Sequence, residues 1–365
     1  MAGSFLHEVL ELAVNAKASD VHIKQDHPIA LRIESKLVDT DFITNQEFMD
    51  KALAVMLDDE HRKKFNSAGD VDLSYVEDDV GRFRVNIHQQ RGTPAIAMRH
   101  VKSKILDFDT LGLPPQVKTI AEMERGIIFV TGTTGSGKST TLAAMIDYIN
   151  QNSRKHIITV EDPVEYEFTD KHSLIEQREV GLDTESFESA LIHVLRQDPD
   201  IIEIGEMRTR DSFDAALQAA DTGHLVLTTL HTINASQSIS RVLDFYDSSE
   251  HDTIRWALTT NLSAVISQRL LPRAFGGGVI PAVEILINTP IIKKLLGQNK
   301  LDKLAPAIES GAGEGMQSFN QSLYKLINEG LVTEEDALKA ATNPEALKMN
   351  LKGIFLSTES QILGD

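Results

Sequence analysis

The sequence predicts an α/β chain: a small α+β domain, then a parallel sheet covered on both faces, then a helical C-terminal region. Three observations carry this. Short alternating apolar runs crowd the first hundred residues, as in an antiparallel sheet with one buried face. From about residue 117 compact apolar runs alternate with helical patterns, as in a parallel sheet. One of those runs leads into a glycine-rich loop that opens a helix. The expected boundaries are 1–102 for the first domain, 103–116 for a linker, 117–288 for the parallel-sheet domain and 289–365 for the helical region.

In chain order, Leu6, Val9, Leu10 and Ala13 recur at helical spacing and predict an amphipathic first helix. Val21, Ile23, Ile29, Leu31 and Ile33 predict short strands. Residues 45–65 read as helical, with Phe48, Leu53, Met56 and Leu57 on one side. Alternating strands follow at Val71–Tyr75, Phe83–Ile87 and Ile96–Met98, with Asp78, Asp79 and Gly81 as a turn. Gly112, Pro114 and Pro115 mark the linker. The buried strands of the second domain are expected at Ile127–Val130, His156–Val160, Ile201–Ile204 and Leu225–Leu227. From about residue 250 the chain reads as mostly helical. Ile254, Leu258, Leu262, Val265 and Ile266 keep a helical period, and Gly276–Gly278 form a turn.

Bulk composition narrows the function. The chain has 365 residues, more than one core usually holds. Its net charge is −18, which argues against a nucleic-acid binder, since these carry a basic face. It contains no cysteine, so disulfides and thiolate metal sites are excluded. The N-terminus lacks the basic and apolar regions of a signal peptide. No stretch approaches the roughly 18–20 apolar residues that span a bilayer, so a membrane role runs through partner proteins.

Gly132-Thr133-Thr134-Gly135-Ser136-Gly137-Lys138-Ser139 matches the eight-position phosphate-loop pattern in full. Backbone amides there can wrap a β-phosphate, and the helix N-terminus adds positive potential. Lys138 is expected to reach the β- and γ-phosphates of ATP, Ser139 to hold Mg²⁺, and Thr140 to complete the binding segment. Hydrolysis also needs a carboxylate near the attacking water. Glu206, after the run Ile201–Ile204, is the first choice, as base and as a metal neighbour; Glu161, after His156–Val160, is the second. His224 and His231 bracket a further strand. His231 is expected to sense the γ-phosphate, and His224 is a candidate nucleotide contact. A zinc site is not expected, because no third ligand is spaced near the two histidines.

Taken together, the phosphate loop and the segments TVEDPVEY, LRQDPDIIEIGEMR and TGHLVLTTLHT resemble the Walker A, Asp box, Walker B and His box of the secretion-type ATPase superfamily. Their spelling, with GRFRVNIHQQRG at 81–92, resembles the type IV pilus retraction ATPases, the PilT/PilU family. NQNSRKHII, QREVGLDTESFESAL and GMQSFNQSLY lean toward the PilU side. Pro290–Leu296 stands where PilT carries AIRNLIR, and Glu203 occupies a strand position usually aliphatic in the family.

The resemblance implies a PAS-like N-terminal domain, a RecA-like ATPase domain and a homohexameric ring using ATP and Mg²⁺. It implies that Arg82, Arg84 and Arg91 reach the nucleotide phosphates. It implies work on the cytoplasmic face of the inner membrane, with a platform protein of the pilus machine as partner and a paralogous retraction ATPase as a second. The implied function is pilus retraction and twitching motility; the alternative is a low-turnover accessory subunit that reinforces a paralogous motor.

Overall fold

The computed structural model describes residues 2–33 and 36–354. It divides into two units. One comprises residues 1–104 with 163–167, the other 105–162 with 168–365.

The first unit is built on a six-stranded antiparallel sheet. Its strands are β1 (Asp20–Lys24), β2 (Pro28–Ile33), β3 (Lys36–Ile43), β4 (Asp70–Glu77), β5 (Gly81–Gln90) and β6 (Thr93–His100), in the order β3-β2-β1-β6-β5-β4. Alternation decides the buried face: Phe83, Val85 and Ile87 of β5 are fully buried, and Arg82, Arg84 and Asn86 between them are only half-buried. Val9 and Leu10 of the helix Ala2–Asn15 join this core.

The helical stretch expected over 45–65 is made of two helices, Gln46–Met56 and Asp59–Ala68. The break falls at Asp58, whose carboxylate accepts the Glu60 and His61 amides and so starts the second helix. Residues 163–167, expected in the second domain, group with the first unit. There Lys102 exchanges backbone hydrogen bonds with Glu165 and Glu167.

The second unit carries a seven-stranded sheet. Its strands are β7 (Gly126–Thr131), β8 (His156–Glu161), β9 (Leu174–Glu179), β10 (Ile201–Ile204), β11 (Leu225–Leu230), β12 (Leu262–Pro272) and β13 (Val279–Ile287), in the order β13-β12-β7-β11-β10-β8-β9. All neighbours are parallel except β12 and β13. One face packs under the helices Arg210–Asp221, Ala235–Leu243 and His251–Asn261, with Phe129, Phe213 and Val226 at its centre. The other packs under Gln116–Ala121 and Lys138–Asn152, with Val130, Met145 and Leu227 buried there.

Two expectations are corrected here. The helical period of Leu262, Val265 and Ile266 is a strand: β12 is buried on both faces, so its apolar residues carry no alternation to mark it. Residues 105–116 belong to the second unit and are anchored in it. Phe108–Leu111 form one helical turn capped by Asp107, Gly112 turns the chain at φ +70°, and Leu113 is buried. C-terminal helices Phe319–Asn328, Glu334–Ala340 and Pro344–Leu351 share a separate small core with Leu271, Ile280 and Ala282 of β12 and β13.

Candidate active site

Strand β7 is central in the sheet and every residue of it is buried. At its C-terminal end the chain must reverse into the helix Lys138–Asn152. Gly132 makes this possible: a Cβ there would collide with the Ser136 hydroxyl and lie 2.7 Å from the Gln268 carbonyl. Gly137 adopts φ +89°, in the left-handed region, immediately before the helix. No side chain caps this helix N-terminus, and the first amides of any helix lack intrahelical acceptors.

The Lys138 ammonium is buried and donates to the carbonyl oxygens of Gly132 (3.1 Å) and Thr133 (3.3 Å). Ser136 Oγ is buried and has no hydrogen-bond partner among the described residues. A buried ammonium, an orphaned hydroxyl and an uncapped helix start together form a cradle suited to a polyphosphate. Thr133, Thr134 and Gly135 form its exposed lip; Ser139 and Thr140 are half-buried in the first helical turn.

Neighbouring strands bring the carboxylates to the same rim. Register pairs Val160, Ile204 and Thr228 across β8, β10 and β11, so the residues that follow leave the sheet side by side. Gly205 donates to the Val160 carbonyl at 2.8 Å and its own carbonyl accepts the Thr229 hydroxyl at 2.7 Å. Glu206 Oε1 then lies 3.2 Å from His231 Nε2, and Oε2 lies 2.6 Å from the Arg208 guanidinium. Burial pushes the Glu206 carboxyl up, but the Arg208 hydrogen bond and the nearby His231 outweigh it and hold it below the ordinary glutamate value. Glu161 Oε1 accepts from the Thr159 hydroxyl at 2.6 Å and from the Gln177 amide at 3.1 Å.

His224 is not brought to this rim. It precedes β11, at the N-terminal end of the parallel strands, where its carbonyl accepts the Gly126 amide and its Nδ1 lies 2.9 Å from the Ala219 carbonyl. The length of β11, roughly 20 Å, separates it from the phosphate loop. Two histidines bracketing a parallel strand cannot both face a site at its C-terminal end.

Arg82, Arg84 and Arg91 lie in the first unit. Arg82 Nε is 3.8 Å from a Glu167 oxygen, Arg84 sits opposite Ser74 and Arg99 in the sheet, and Arg91 occupies the β5–β6 turn at φ +49°. Glu203 is buried in β10, in register with Thr159 and Leu227. Two hydrogen-bonded polar pairs near the loop escaped sequence reasoning. Gln268 Nε2 donates to the Thr141 hydroxyl at 2.8 Å, and the Thr131 and Ser267 hydroxyls are bonded at 2.8 Å. Single polar residues inside an apolar strand give no periodic signal.

A phosphate loop at the C-terminal edge of a parallel sheet, with a carboxylate–imidazole pair on the same edge, defines a P-loop ATPase. Comparison with known proteins places the chain further. A family model described as "Type II/IV secretion system protein" matches residues 2–278, and the chain belongs to that family.

It is 37% identical over 347 residues to the type IV pilus ATPase PilU of Pseudomonas aeruginosa, covering 94% of this chain and 91% of that one. It is 40% identical over 340 residues to the retraction ATPase PilT of the same organism, covering 93% and 98%. Among solved structures it superposes on the pilus retraction motor PilT with bound ADP, with a TM-score of 0.86, 43% identity and coverage of 94% and 98%. Among the described residues no helix is long and apolar enough to cross a membrane, and no group of three His, Asp or Glu side chains is placed to hold a metal by itself.

Proposed function

We propose that the chain is a Mg-ATP-hydrolysing motor that works as a homohexamer to retract type IV pili and drive twitching motility. The observation that carries the chemistry is the Glu206–His231 pair, 3.2 Å apart, on the same sheet edge as the Lys138 loop. The pilus assignment is supported by similarity along nearly the whole chain to proteins named for pilus retraction.

In this reading the loop from Gly132 to Thr140 binds the nucleotide. The Lys138 ammonium exchanges its loop carbonyls for β- and γ-phosphate oxygens. Glu206 orients and accepts a proton from the attacking water, His231 hydrogen-bonds near the γ-phosphate, and Glu161 supports the water network. Mg²⁺ would be held by the Ser139 hydroxyl with Glu206 nearby and would neutralise phosphate charge. Arg82, Arg84 and Arg91 are proposed to offset charge developing on the γ-phosphoryl group. The ring is proposed to act at the cytoplasmic face of the inner membrane, against a platform protein of the pilus machine.

A second reading, an accessory subunit with little turnover of its own, is favoured by one segment. Pro290–Leu296, within the helix Pro290–Gly297, departs from the AIRNLIR spelling that the family resemblance associates with PilT. ATP turnover of the purified chain, alone and mixed with a primary retraction ATPase, separates the two. Turnover alone at a rate matching the mixture supports the motor; negligible turnover that rises only in the mixture supports the accessory role.

A further inference from the structure

Besides Glu203, the second unit buries a further carboxylate that the chemistry above does not use. Glu284 interrupts the apolar strand β13, Val-Ile-Pro-Ala-Val-Glu-Ile-Leu-Ile, and is 6% exposed. A charge there is costly unless something answers it. Its Oε1 accepts the backbone amide of Ala235 at 2.9 Å. Burial pushes its carboxyl up; the Ala235 amide and the charge of Arg269 oppose this.

Ala235 is the first residue of the helix Ala235–Leu243, four residues after His231. The position of Glu284 in the sheet makes this contact specific. Register aligns Glu284 with Ser267, Ser267 with Thr131, and Thr131 with Leu230. That row crosses β13, β12, β7 and β11 at the level where the phosphate loop leaves after Thr131 and the His231 segment leaves after Leu230.

The segment 231–234 is thus tied at both ends: by β11 at one, by the Glu284 carboxylate at the other. Within it, the Thr232 and Ser238 hydroxyls are 2.6 Å apart, and Asn234 Oδ1 accepts the Gln237 amide at 2.8 Å. These bonds fix the helix start on itself; the Glu284 bond ties that start to the sheet.

We propose that Glu284 is a positioning residue: by clamping the Ala235 amide it fixes the His231 segment and sets the imidazole against Glu206. The inference rests on the reading of Glu206 and His231 as the hydrolytic pair. A pair aligned for the transition state loses rate when it is misplaced, with little loss of ground-state binding.

The test uses the full chain and steady-state ATP turnover. Glu284→Gln keeps the size and an acceptor oxygen; Glu284→Met removes the acceptor. The expected result is a kcat lowered about 10- to 100-fold in Glu284→Met, a KM for ATP within about twofold of the original, and a Glu284→Gln variant within about threefold of the original kcat. Combining Glu284→Met with His231→Ala should slow turnover no further than His231→Ala alone, because the first acts through the second.

If Glu284→Met does not fold, Ala235→Pro breaks the same bond from the other side, because its ring Cδ replaces the amide hydrogen and displaces the carboxylate. Proline suits the first helical position, and Asn234 before it is already extended at φ −163°, ψ 171°. It should show the same drop in kcat. An unchanged kcat in folded Glu284→Met or Ala235→Pro, a KM rising in step with the loss, or multiplicative effects in the double variant would overturn the proposal. His231→Ala turning over at the original rate would instead overturn the underlying assignment of the pair.

Discussion

His231 Nε2 and Glu206 Oε1 lie 3.2 Å apart although 25 residues separate them, because β10 and β11 are parallel neighbours that run to the same sheet edge. Glu206 sits on a turn where a Cβ at Gly205 would come within 3.3 Å of the Glu161 Cα. Glu206→Gln is therefore expected to keep nucleotide binding and lower turnover by about 10²- to 10⁴-fold, since it removes a proton acceptor and preserves size. Binding of a fluorescent ATP analogue beside phosphate release checks this. If Glu161→Gln stops turnover while Glu206→Gln does not, the roles of the two carboxylates are exchanged.

Acid sensitivity is expected from the first unit. Burial pushes the Asp20 carboxyl up, but hydrogen bonds from Ser19 and from Arg99, at 2.8 Å each, prevail and hold it below the ordinary aspartate value. A carboxyl lowered on folding adds stability above its unfolded pKa, about 3.9. That stability is lost as pH falls through the lower folded value. Asp20→Asn should be less stable at neutral pH, and its denaturation midpoint should fall less than the original's between pH 5 and the acid end. Parallel pH curves for the two proteins would show that Asp20 carries no linked stability.

The phosphate loop was legible because its pattern is local: eight consecutive positions, a strand before and a helix after. The placement of Glu206 and His231 at one sheet edge was legible for a related reason, since both follow apolar runs that read as parallel strands. The same rule separates His231 from His224, which precedes β11 and so faces the other end. Glu284 was not legible, because its partner Ala235 lies 49 residues earlier and only the folded sheet brings the two together. Strands β12 and β13 were hidden by their own burial. A run apolar on both faces has no period of two, and chance spacing of Leu262, Val265 and Ile266 imitated a helix.

Gly132→Ala is expected to abolish nucleotide binding at ordinary ATP concentrations. The added methyl would meet the Ser136 hydroxyl, which can rotate away, and the Gln268 carbonyl at 2.7 Å, which is held in β12 and cannot. The glycine also holds φ +153°, a region L side chains rarely adopt. The loop must therefore move, and its amides lose their common focus. Retained nucleotide affinity in this variant would mean that the loop has another conformation that binds equally well.

Lys138→Ala offers the sharpest check on the site as a whole. The Lys138 side chain is buried at the start of its helix. Its bonds to the Gly132 and Thr133 carbonyls are made within the loop that it helps to shape. Removing it takes no member from the apolar core clusters of the unit, so the fold should survive with its thermal midpoint little changed. Turnover should fall at least about 100-fold, as expected when a preorganised donor to a developing anionic charge is removed. Lys138→Arg should not restore it, because a planar guanidinium cannot replace a compact ammonium in a cradle closed by Gly132 and Ser136. Circular dichroism with thermal melting establishes folding, and phosphate release measures the rate. A folded Lys138→Ala protein that hydrolyses ATP at the original rate would remove the phosphate loop from the mechanism.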